Sequence, residues 1–413
     1  MIAFDKFVLK NGLTVIHNED KSTPLVAVNI LYKVGARNEN PDRTGFAHLF
    51  EHLMFGGSIN IPNYDGPLER AGGENNAFTN NDITNYYLTI SSQNIETAFW
   101  LESDRMLSLA FSEKSLEVQR NVVIEEFKQR YLNQPYGDSW LLLRPLAYKK
   151  HPYQWPTIGQ KIEHIENANL QDVKDFFKRY YNPSNAILSV SGNINRIDLE
   201  KQCEKWFESI EGGEKIKDNI PQEPLQEEKR HISVTKDVPS SALYMAFHCC
   251  SRLDKEYYST DLTSDILSAG KSSRLYTKLV KDKKMFSSIH AYQTGNIDKG
   301  LFVVEGKLLN GIKPENAEKA VWEELDSIKT NGVSEVELEK VGNNIESILT
   351  FDEMAIGDKA LNLAFFEMLG DANLYNKQLE NYKACTASEI KDTANTIFKE
   401  SNCNTLYYNS EHA

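Results

Sequence analysis

Alternating apolar and polar residues open the chain and predict a strand-rich beginning. Phe7–His17, FVLKNGLTVIH, has the pattern of a β-hairpin that turns at Asn11 and Gly12. Leu25–Val34 is a second apolar, strand-like run, and Glu74–Ser91 is rich in the Thr, Ile, Tyr and Leu residues that favour paired strands. We therefore expect several strands before the first long helix.

Apolar residues then recur three and four positions apart, which indicates amphipathic helices. The predicted helices are Ile95–Leu109, Ser115–Tyr131, Leu170–Tyr181 and Ile197–Ile210, with a shorter one at Pro67–Ala71. Ala186–Ser191 is predicted as a short apolar strand between two of them. Strands and helices are therefore both expected in the first half of the chain.

The composition changes at Glu211–Arg230, EGGEKIKDNIPQEPLQEEKR, where glycines, prolines and charges concentrate. This composition is typical of a solvated linker between domains. A chain of 413 residues is also too long for one compact core. We therefore predict an N-terminal domain at residues 1–212, a linker at residues 213–230 and a C-terminal domain at residues 231–413.

The second half repeats the order of elements found in the first. A strand-rich start at Ile232–Cys249 leads to STDLTSDILSAGKSS, which aligns with AHLFEHLMFGGS at an offset of 214. Further on, Ser334–Leu349 aligns with Ser112–Phe127 at an offset of 222. The sequence therefore predicts a duplicated fold.

Charge and composition narrow the range of partners. The chain is 40% hydrophobic with a net charge of −13 and has no cluster of Lys and Arg, so no nucleic-acid partner is expected. No apolar run is long enough to span a bilayer, and the N-terminus lacks a signal region. We therefore expect a cytoplasmic location, or a periplasmic one if a signal peptide has been removed.

The five cysteines lack C-x-x-C spacing and are interpreted as reduced and structural.

The segment Gly45–Ser58, GFAHLFEHLMFGGS, contains an H-x-x-E-H pattern formed by His48, Glu51 and His52. On an α-helix these three side chains share one face within little more than one turn. Two neutral imidazoles suit Zn²⁺, and a carboxylate beside them that does not bind the metal suits a general base. The alternative is a buried helix whose two His side chains bond backbone groups.

The predicted helix has recognisable ends. Thr44 is expected to cap its start, and Gly56 and Gly57 are expected to end it. The apolar residues between them supply the surface that would bury one side of the helix.

A catalytic zinc needs a third protein ligand while one position stays open for water. The helical stretch NVVIEEF offers Glu126, with 73 residues between it and His52, and Glu125 is the alternative. The competing interpretation of either residue is an ordinary exposed helix glutamate, because Glu is common on helices and rarely buried. In the second half, Leu262, Asp265 and Ile266 align with the three motif positions. The second copy is therefore expected to keep the helix without the ligands.

Taken together, the motifs resemble the inverzincin peptidases of the pitrilysin–insulysin–mitochondrial processing peptidase family, especially its short two-domain members. The resemblance covers nearly the whole chain and rests on GFAHLFEHLMFGGS, GGENNAFTNNDITNYY, QRNVVIEEF, HPYQWPTIG and AGKSSRLYTKL. It implies two similar α+β domains, each a mainly antiparallel sheet backed by helices, and a clamshell chamber formed with a second chain. It also implies one Zn²⁺ per chain held by His48, His52 and Glu126, with Glu51 as the general base.

The resemblance further implies a strand that holds the substrate. Asn76, Ala77 and Phe78, followed by Thr79, match the edge strand on which members of the family hold a peptide as an added β-strand. Main-chain hydrogen bonds of this kind grip any extended peptide, while side-chain pockets add modest selectivity. The alternative interpretation is a plain sheet edge.

Two departures from the family pattern affect the expected chemistry. Gln119 stands seven positions before Glu126, where the family often has a glutamate. That glutamate does not bind the metal but supports the residues that do. Val280 and Ser287 stand where active members commonly carry an Arg and a Tyr that stabilise the oxyanion. The resemblance therefore implies that a paralogous chain supplies that pair in a heterodimer, with a homodimer as the alternative.

The expected function is that of a zinc-dependent endopeptidase subunit acting on small unfolded peptides inside a closed chamber. A non-catalytic assembly subunit or the core subunit of a processing complex is the second hypothesis, since a shared fold does not settle function. A peptide-binding module without turnover is the third. Metal content and a cleavage assay separate the three.

Overall fold

The structure is a computed structural model that describes residues 1–214, 216 and 219–412. The chain forms two compact units, each assembled from three segments. The first unit comprises Met1–Phe127, Trp155–Ile220 and Thr350–Lys377, and the second comprises Lys128–Gln154, Pro221–Leu349 and Gln378–Ala413. The predicted linker at 213–230 includes Lys215, Lys217 and Asp218, which lie outside the described residues.

The described residues contain both strands and helices, numbered separately in chain order. The strands are β1 (Asp5–Val8), β2 (Thr14–Glu19), β3 (Leu25–Tyr32), β4 (Glu74–Thr79), β5 (Thr84–Ser91), β6 (Ala186–Gly192), β7 (Arg230–Lys236), β8 (Ala242–His248), β9 (Phe286–Gln293), β10 (Leu301–Leu308) and β11 (Cys403–Ser410). The helices are α1 (Phe46–Leu53), α2 (Asp65–Arg70), α3 (Ile95–Leu107), α4 (Glu113–Phe127), α5 (Ser139–Ala147), α6 (Ile162–Glu166), α7 (Leu170–Tyr180), α8 (Arg196–Phe207), α9 (Tyr257–Ser268), α10 (Pro314–Asn331), α11 (Glu335–Asp352), α12 (Ile356–Met368), α13 (Gln378–Ala384) and α14 (Ala387–Ile397). None of these helices has the length and apolar character that a bilayer crossing requires.

The first unit is built on a six-stranded sheet with the order β1-β2-β6-β3-β5-β4. The predicted hairpin is present as β1 and β2, which pair antiparallel with Phe7 opposite Val15. Among the described strands of this sheet, only β2 and β6 pair in parallel, and β4 lies at the edge. The predicted pairing within Glu74–Ser91 is confirmed as the antiparallel pair β4 and β5.

The second unit repeats this topology. Its sheet has the order β7-β11-β8-β10-β9, which corresponds strand for strand to β2-β6-β3-β5-β4. The parallel pair recurs as β7 and β11, and the other pairs are antiparallel. The α+β class with two similar domains, each a mainly antiparallel sheet backed by helices, is therefore confirmed.

Burial corrects the predicted alignment between the two copies. Helix α9 follows β8 as α1 follows β3, so both should bury equivalent faces. At the predicted offset of 214, the partly exposed His48 and His52 would match Leu262 and Ile266, which are each 1% exposed. Equivalent positions cannot point both into and out of the core, so this alignment is wrong.

An offset of 213 removes the conflict. Asp261 and Asp265, both half-buried, then stand opposite His48 and His52. The fully buried Leu262 and Ile266 stand opposite Leu49 and Leu53, which are also buried. The second copy therefore carries two aspartates where the first carries two histidines.

The compact units differ from the predicted contiguous halves in two places. Helix α12, from the second half of the sequence, covers β3 and β6, where Leu363 and Phe366 join a core with Leu31 and Ile187. Helix α5, which the sequence analysis did not predict, covers the second sheet and buries Leu143 against it. Each sheet face needs an apolar cover, and a helix from the other half of the sequence supplies it.

A salt bridge also ties α12 to the first unit. The ammonium group of Lys359 donates a 2.7 Å hydrogen bond to Asp20, and both side chains are largely buried, at 13% and 18% exposure. Together with the hydroxyl of Ser22, this bond lowers the pKa of the Asp20 carboxyl to about 2. The ionised form of Asp20 therefore stabilises the folded unit.

We expect the Asp20→Asn variant to lose about 1 kcal/mol of the free energy of unfolding at pH 7, because both side chains keep some contact with solvent, which screens the pair. The carboxyl has a lower pKa in the folded state than in the unfolded chain, where it is about 3.9. Its contribution is therefore present above about pH 4 and is lost as the pH falls through about 2. Urea unfolding across this range should show the difference between the two proteins shrinking toward zero.

The matched control is Lys359→Met, which removes the same pair from the other side. It should cost a similar amount at pH 7, and the double variant should cost no more than either single variant. A loss in Asp20→Asn that stays constant from pH 7 to about pH 2 would contradict this account.

Candidate metal centre

Helix α1 divides into an apolar and a polar face. Its buried residues are Phe46, Ala47, Leu49, Phe50 and Leu53. Phe50 stacks on Tyr181 with ring centroids 5.0 Å apart, which fixes the rotation of the helix about its axis. His48, Glu51 and His52 therefore point to the opposite side and stay partly exposed.

The start of α1 differs from the prediction. The N-cap position is Gly45, with φ of +91°, and a Cβ there would come within 2.6 Å of the Ile158 carbonyl oxygen, so glycine is required. The Thr44 hydroxyl lies 2.8 Å from His164 Nδ1 and accepts the amide N–H of Gln160. The predicted Thr44 cap is therefore wrong, because this hydroxyl is engaged elsewhere.

The cap is the side chain of Glu39. Its two carboxylate oxygens accept the amide N–H groups of Gly45 and Ala47, each at 2.8 Å. Burial raises the pKa of Glu39 to about 8, although the same N–H groups act to lower it. At its other end, α1 stops at Leu53, and the chain turns at Gly57 with φ of +100°. The predicted glycine stop therefore comes slightly after the helix end.

Helix α4 packs against α1 and brings Glu126 to its polar face. Glu126 Oε2 lies 3.7 Å from His48 Nε2 and 3.4 Å from His52 Nε2. The two imidazole rings are 4.9 Å apart and nearly perpendicular. Glu125, the alternative ligand, is exposed at the preceding position of the helix. The structure therefore brings together the three residues favoured by the sequence.

The geometry of these donors fits zinc. One atom from each of His48, His52 and Glu126 lies within 4.8 Å of the others. Zinc bonds of about 2.0–2.2 Å in a tetrahedral arrangement place neighbouring donors about 3.3–3.5 Å apart. Two imidazoles and one carboxylate also form a ligand set that leaves a fourth position open. Small side-chain movements would therefore suffice to close the site around the ion.

A buried ion pair that the sequence analysis did not identify lies against the residues just after α1. Arg105 and Glu102, on α3, are fully buried and joined by two hydrogen bonds of 2.8 and 2.6 Å. The Arg105 guanidinium lies over the ring of Tyr86 at 4.4 Å and over that of Phe55, just beyond α1, at 5.5 Å. Single-sequence patterns could not show this cluster, because its members come from distant segments.

The predicted substrate strand lies beside the metal-site helix. Asn76, Ala77 and Phe78 belong to β4, the edge strand, which is a neighbour of α1. The Ala77 amide N–H donates to the side-chain oxygen of Asn76 at 2.8 Å. An added strand would therefore compete with this local hydrogen bond, and a role in substrate binding stays a prediction.

The residues that depart from the family pattern are placed as follows. Gln119 is half-buried on α4, two turns before Glu126 and so on nearly the same face. Val280 lies in the π-helical segment Tyr276–Asp282 and packs against the core of the second unit. Ser287 is exposed on the edge strand β9 and donates to the carbonyl oxygen of Lys307. Their correspondence with the missing Arg and Tyr stays a prediction.

Two family profiles match the chain. The profile described as insulinase (peptidase family M16) matches residues 14–150, which include the metal-site helix and Glu126. The profile described as peptidase M16 inactive domain matches residues 167–345, which include the copy with Asp261 and Asp265.

Individual relatives agree with these profiles. The zinc protease PqqE of Helicobacter pylori is 30% identical over 409 residues, covering 98% of this chain and 92% of the relative. The crystal structure of a protease from Helicobacter pylori matches with a TM-score of 0.94 and 29% identity, covering 99% of this chain and all of that one. The beta subunit of mitochondrial-processing peptidase from Caenorhabditis elegans is 25% identical over 216 residues, which are 52% of this chain and 46% of that subunit.

The duplicated sheets and the His-His-Glu cluster define a two-domain metallopeptidase fold. The profile matches and the similarity to the zinc protease over nearly its full length make the assignment more specific. The chain belongs to peptidase family M16, as the sequence motifs predicted.

Proposed function

We propose that this chain is a zinc-dependent endopeptidase subunit that hydrolyses peptide bonds in small unfolded peptides. The observation that carries the proposal is the convergence of His48, His52 and Glu126 beside Glu51, on a partly exposed helix face. A purely structural chain has no chemical need for this combination. The names of the relatives, which are zinc proteases, point in the same direction.

In the proposed mechanism the protein groups have separate roles. His48, His52 and Glu126 hold Zn²⁺, which when bound makes a water molecule more acidic and polarises the substrate carbonyl. Glu51 lies one helical turn from His48 and accepts the proton that the attacking water loses. It then delivers this proton to the nitrogen of the amine that leaves.

The substrates proposed are extended, unfolded peptides. Edge strand β4 offers main-chain hydrogen-bonding groups beside the metal site, and Asn76, Ala77 and Phe78 would line the added strand. This mode of binding requires a peptide segment free of its own secondary structure. Peptides or flexible tails should therefore be cleaved, while folded proteins should not.

We also propose that the chain works with a paralogous partner. Val280 has no side-chain donor, and the Ser287 hydroxyl already donates to the Lys307 carbonyl oxygen, so neither replaces an Arg and Tyr pair; the copy around them matches the profile of an inactive domain. The similar mitochondrial protein is named as a subunit, which supports a heterodimer of related chains. A homodimer is the alternative arrangement. The proposed location is the cytoplasm, or the periplasm if a signal peptide has been removed.

Removal of the proposed carboxylate ligand should strongly weaken metal binding. In Glu126→Ala, we expect the affinity for Zn²⁺ to fall roughly a hundredfold or more, because two imidazoles alone hold the ion poorly. Glu125→Ala is the matched control on the adjacent, exposed position, and its affinity should be unchanged. Chelator competition followed by metal analysis measures both. Equal affinities in the two variants would assign the third ligand to another residue.

Replacement of the proposed base should separate chemistry from metal binding. In Glu51→Gln, turnover of an unstructured peptide should fall by about 10²–10⁴-fold, since an amide cannot accept the proton. Zinc content should remain at one ion per chain. Loss of the metal from this variant would mean that Glu51 is a ligand and that the base has been misassigned.

The partner proposal predicts that activity depends on a second chain. A pool of unstructured peptides should be cleaved by a mixture of this chain and its co-expressed paralogue, and a chelator should stop the reaction. The chain alone should be about a hundredfold slower, because it lacks the Arg and Tyr pair that stabilises the oxyanion. Full activity alone would contradict the partner requirement, and no activity in either sample despite bound zinc would favour the assembly-subunit hypothesis.

A further inference from the structure

We propose that Glu39 is a positioning residue of the metal centre, whose carboxyl group fixes the first turn of α1 and thereby places His48. The inference rests on the proposed zinc-binding function and extends it to a residue outside the H-x-x-E-H motif. Glu39 would not bind the metal itself. Its effect would pass through the helix backbone.

The first turn of a helix has amide N–H groups without partners inside the helix, and something else must accept them. At α1, the N-cap residue Gly45 has no side chain, and the Thr44 hydroxyl is bonded to other groups. The two oxygens of Glu39 accept the Gly45 and Ala47 N–H groups instead.

The location of His48 makes it sensitive to this cap. Helix α1 has only eight residues, and His48 is the third of them, directly after the capped Ala47. Short helices have little stability of their own and fray from their ends. His52 lies near the other end, where the buried Leu53 holds the helix against the core. Loss of the cap should therefore displace His48 while leaving His52 in place.

The residues just before Glu39 are hydrogen-bonded to a neighbouring turn of the first unit. The N–H groups of Ala36 and Arg37 donate to the carbonyl oxygens of Asn80 and Asn81, at 3.1 and 2.9 Å. These two asparagines belong to the turn that connects edge strand β4 to β5. Glu39 therefore joins the metal-site helix to the turn after the proposed substrate strand.

The test compares Zn²⁺ affinity in the intact chain and in two variants by competition with a chromophoric chelator. Glu39→Ala should bind zinc about 10–100-fold more weakly, as is usual when a group that orients a ligand is lost. Glu39→Gln keeps one acceptor oxygen but places an NH2 donor against the other N–H group, so its affinity should lie between those of Glu39→Ala and the parent. The absorption spectrum of the Co²⁺-loaded protein should change in both variants, because it reports the geometry of the ligands.

Asn195→Ala is the matched control. Asn195 caps α8 in the same unit by accepting the Asp198 N–H at 2.9 Å, and it has no part in the metal site. Its loss should lower stability and leave zinc affinity and the Co²⁺ spectrum unchanged. If Glu39→Ala does not fold, as judged by circular dichroism of the metal-free protein, the zinc affinity of the isosteric Glu39→Gln variant tests the positioning role.

The outcomes separate this inference from the function on which it rests. Zinc affinity that is unchanged in Glu39→Gln, or reduced equally in Asn195→Ala, would overturn the positioning role while zinc binding by the parent stands. A parent chain that binds no zinc would overturn the proposed function, and this inference with it.

Discussion

The packing of the apolar face of α1 is the interaction on which the site depends. When Leu49, Phe50 and Leu53 are buried, helix geometry leaves His48, Glu51 and His52 on the opposite face. The stacked ring of Tyr181 holds this rotation, and helix α4 brings Glu126 to the same face. The placement of four polar groups thus follows from where the apolar ones must go.

Buried polar side chains hold α1 near both of its ends. At the start of the helix, Glu39 accepts hydrogen bonds from backbone N–H groups. Near its end, the Arg105–Glu102 pair lies among aromatic rings. Burying charges costs free energy unless hydrogen bonds or an opposite charge compensate for the lost water. The N–H groups beside Glu39 and the Glu102 carboxylate beside Arg105 offset part of that cost, and the two clusters hold the ends of a helix too short to be stable by itself.

The two copies of the fold show which parts of the sequence the architecture constrains. Buried positions stay apolar or small in both copies of the helix, and the strand order is the same. The outward positions differ, with His48 and His52 in the first copy and Asp261 and Asp265 in the second. Asp261 accepts hydrogen bonds from Tyr382 and Gln293, so its carboxylate is used within the second unit. The sheet and its cover are thus retained without the two histidines.

The sequence alone determined the strands and helices with clear periodicity, the duplication, the H-x-x-E-H face and the choice of Glu126. These features depend on local spacing or on recognisable motifs. Tertiary structure alone decided the Glu39 cap, the Arg105–Glu102 pair among its aromatic rings, the one-residue shift in the alignment of the copies and the exchange of α5 and α12 between the halves. Each of these depends on which distant segments share a buried space, and local spacing carries no information about that.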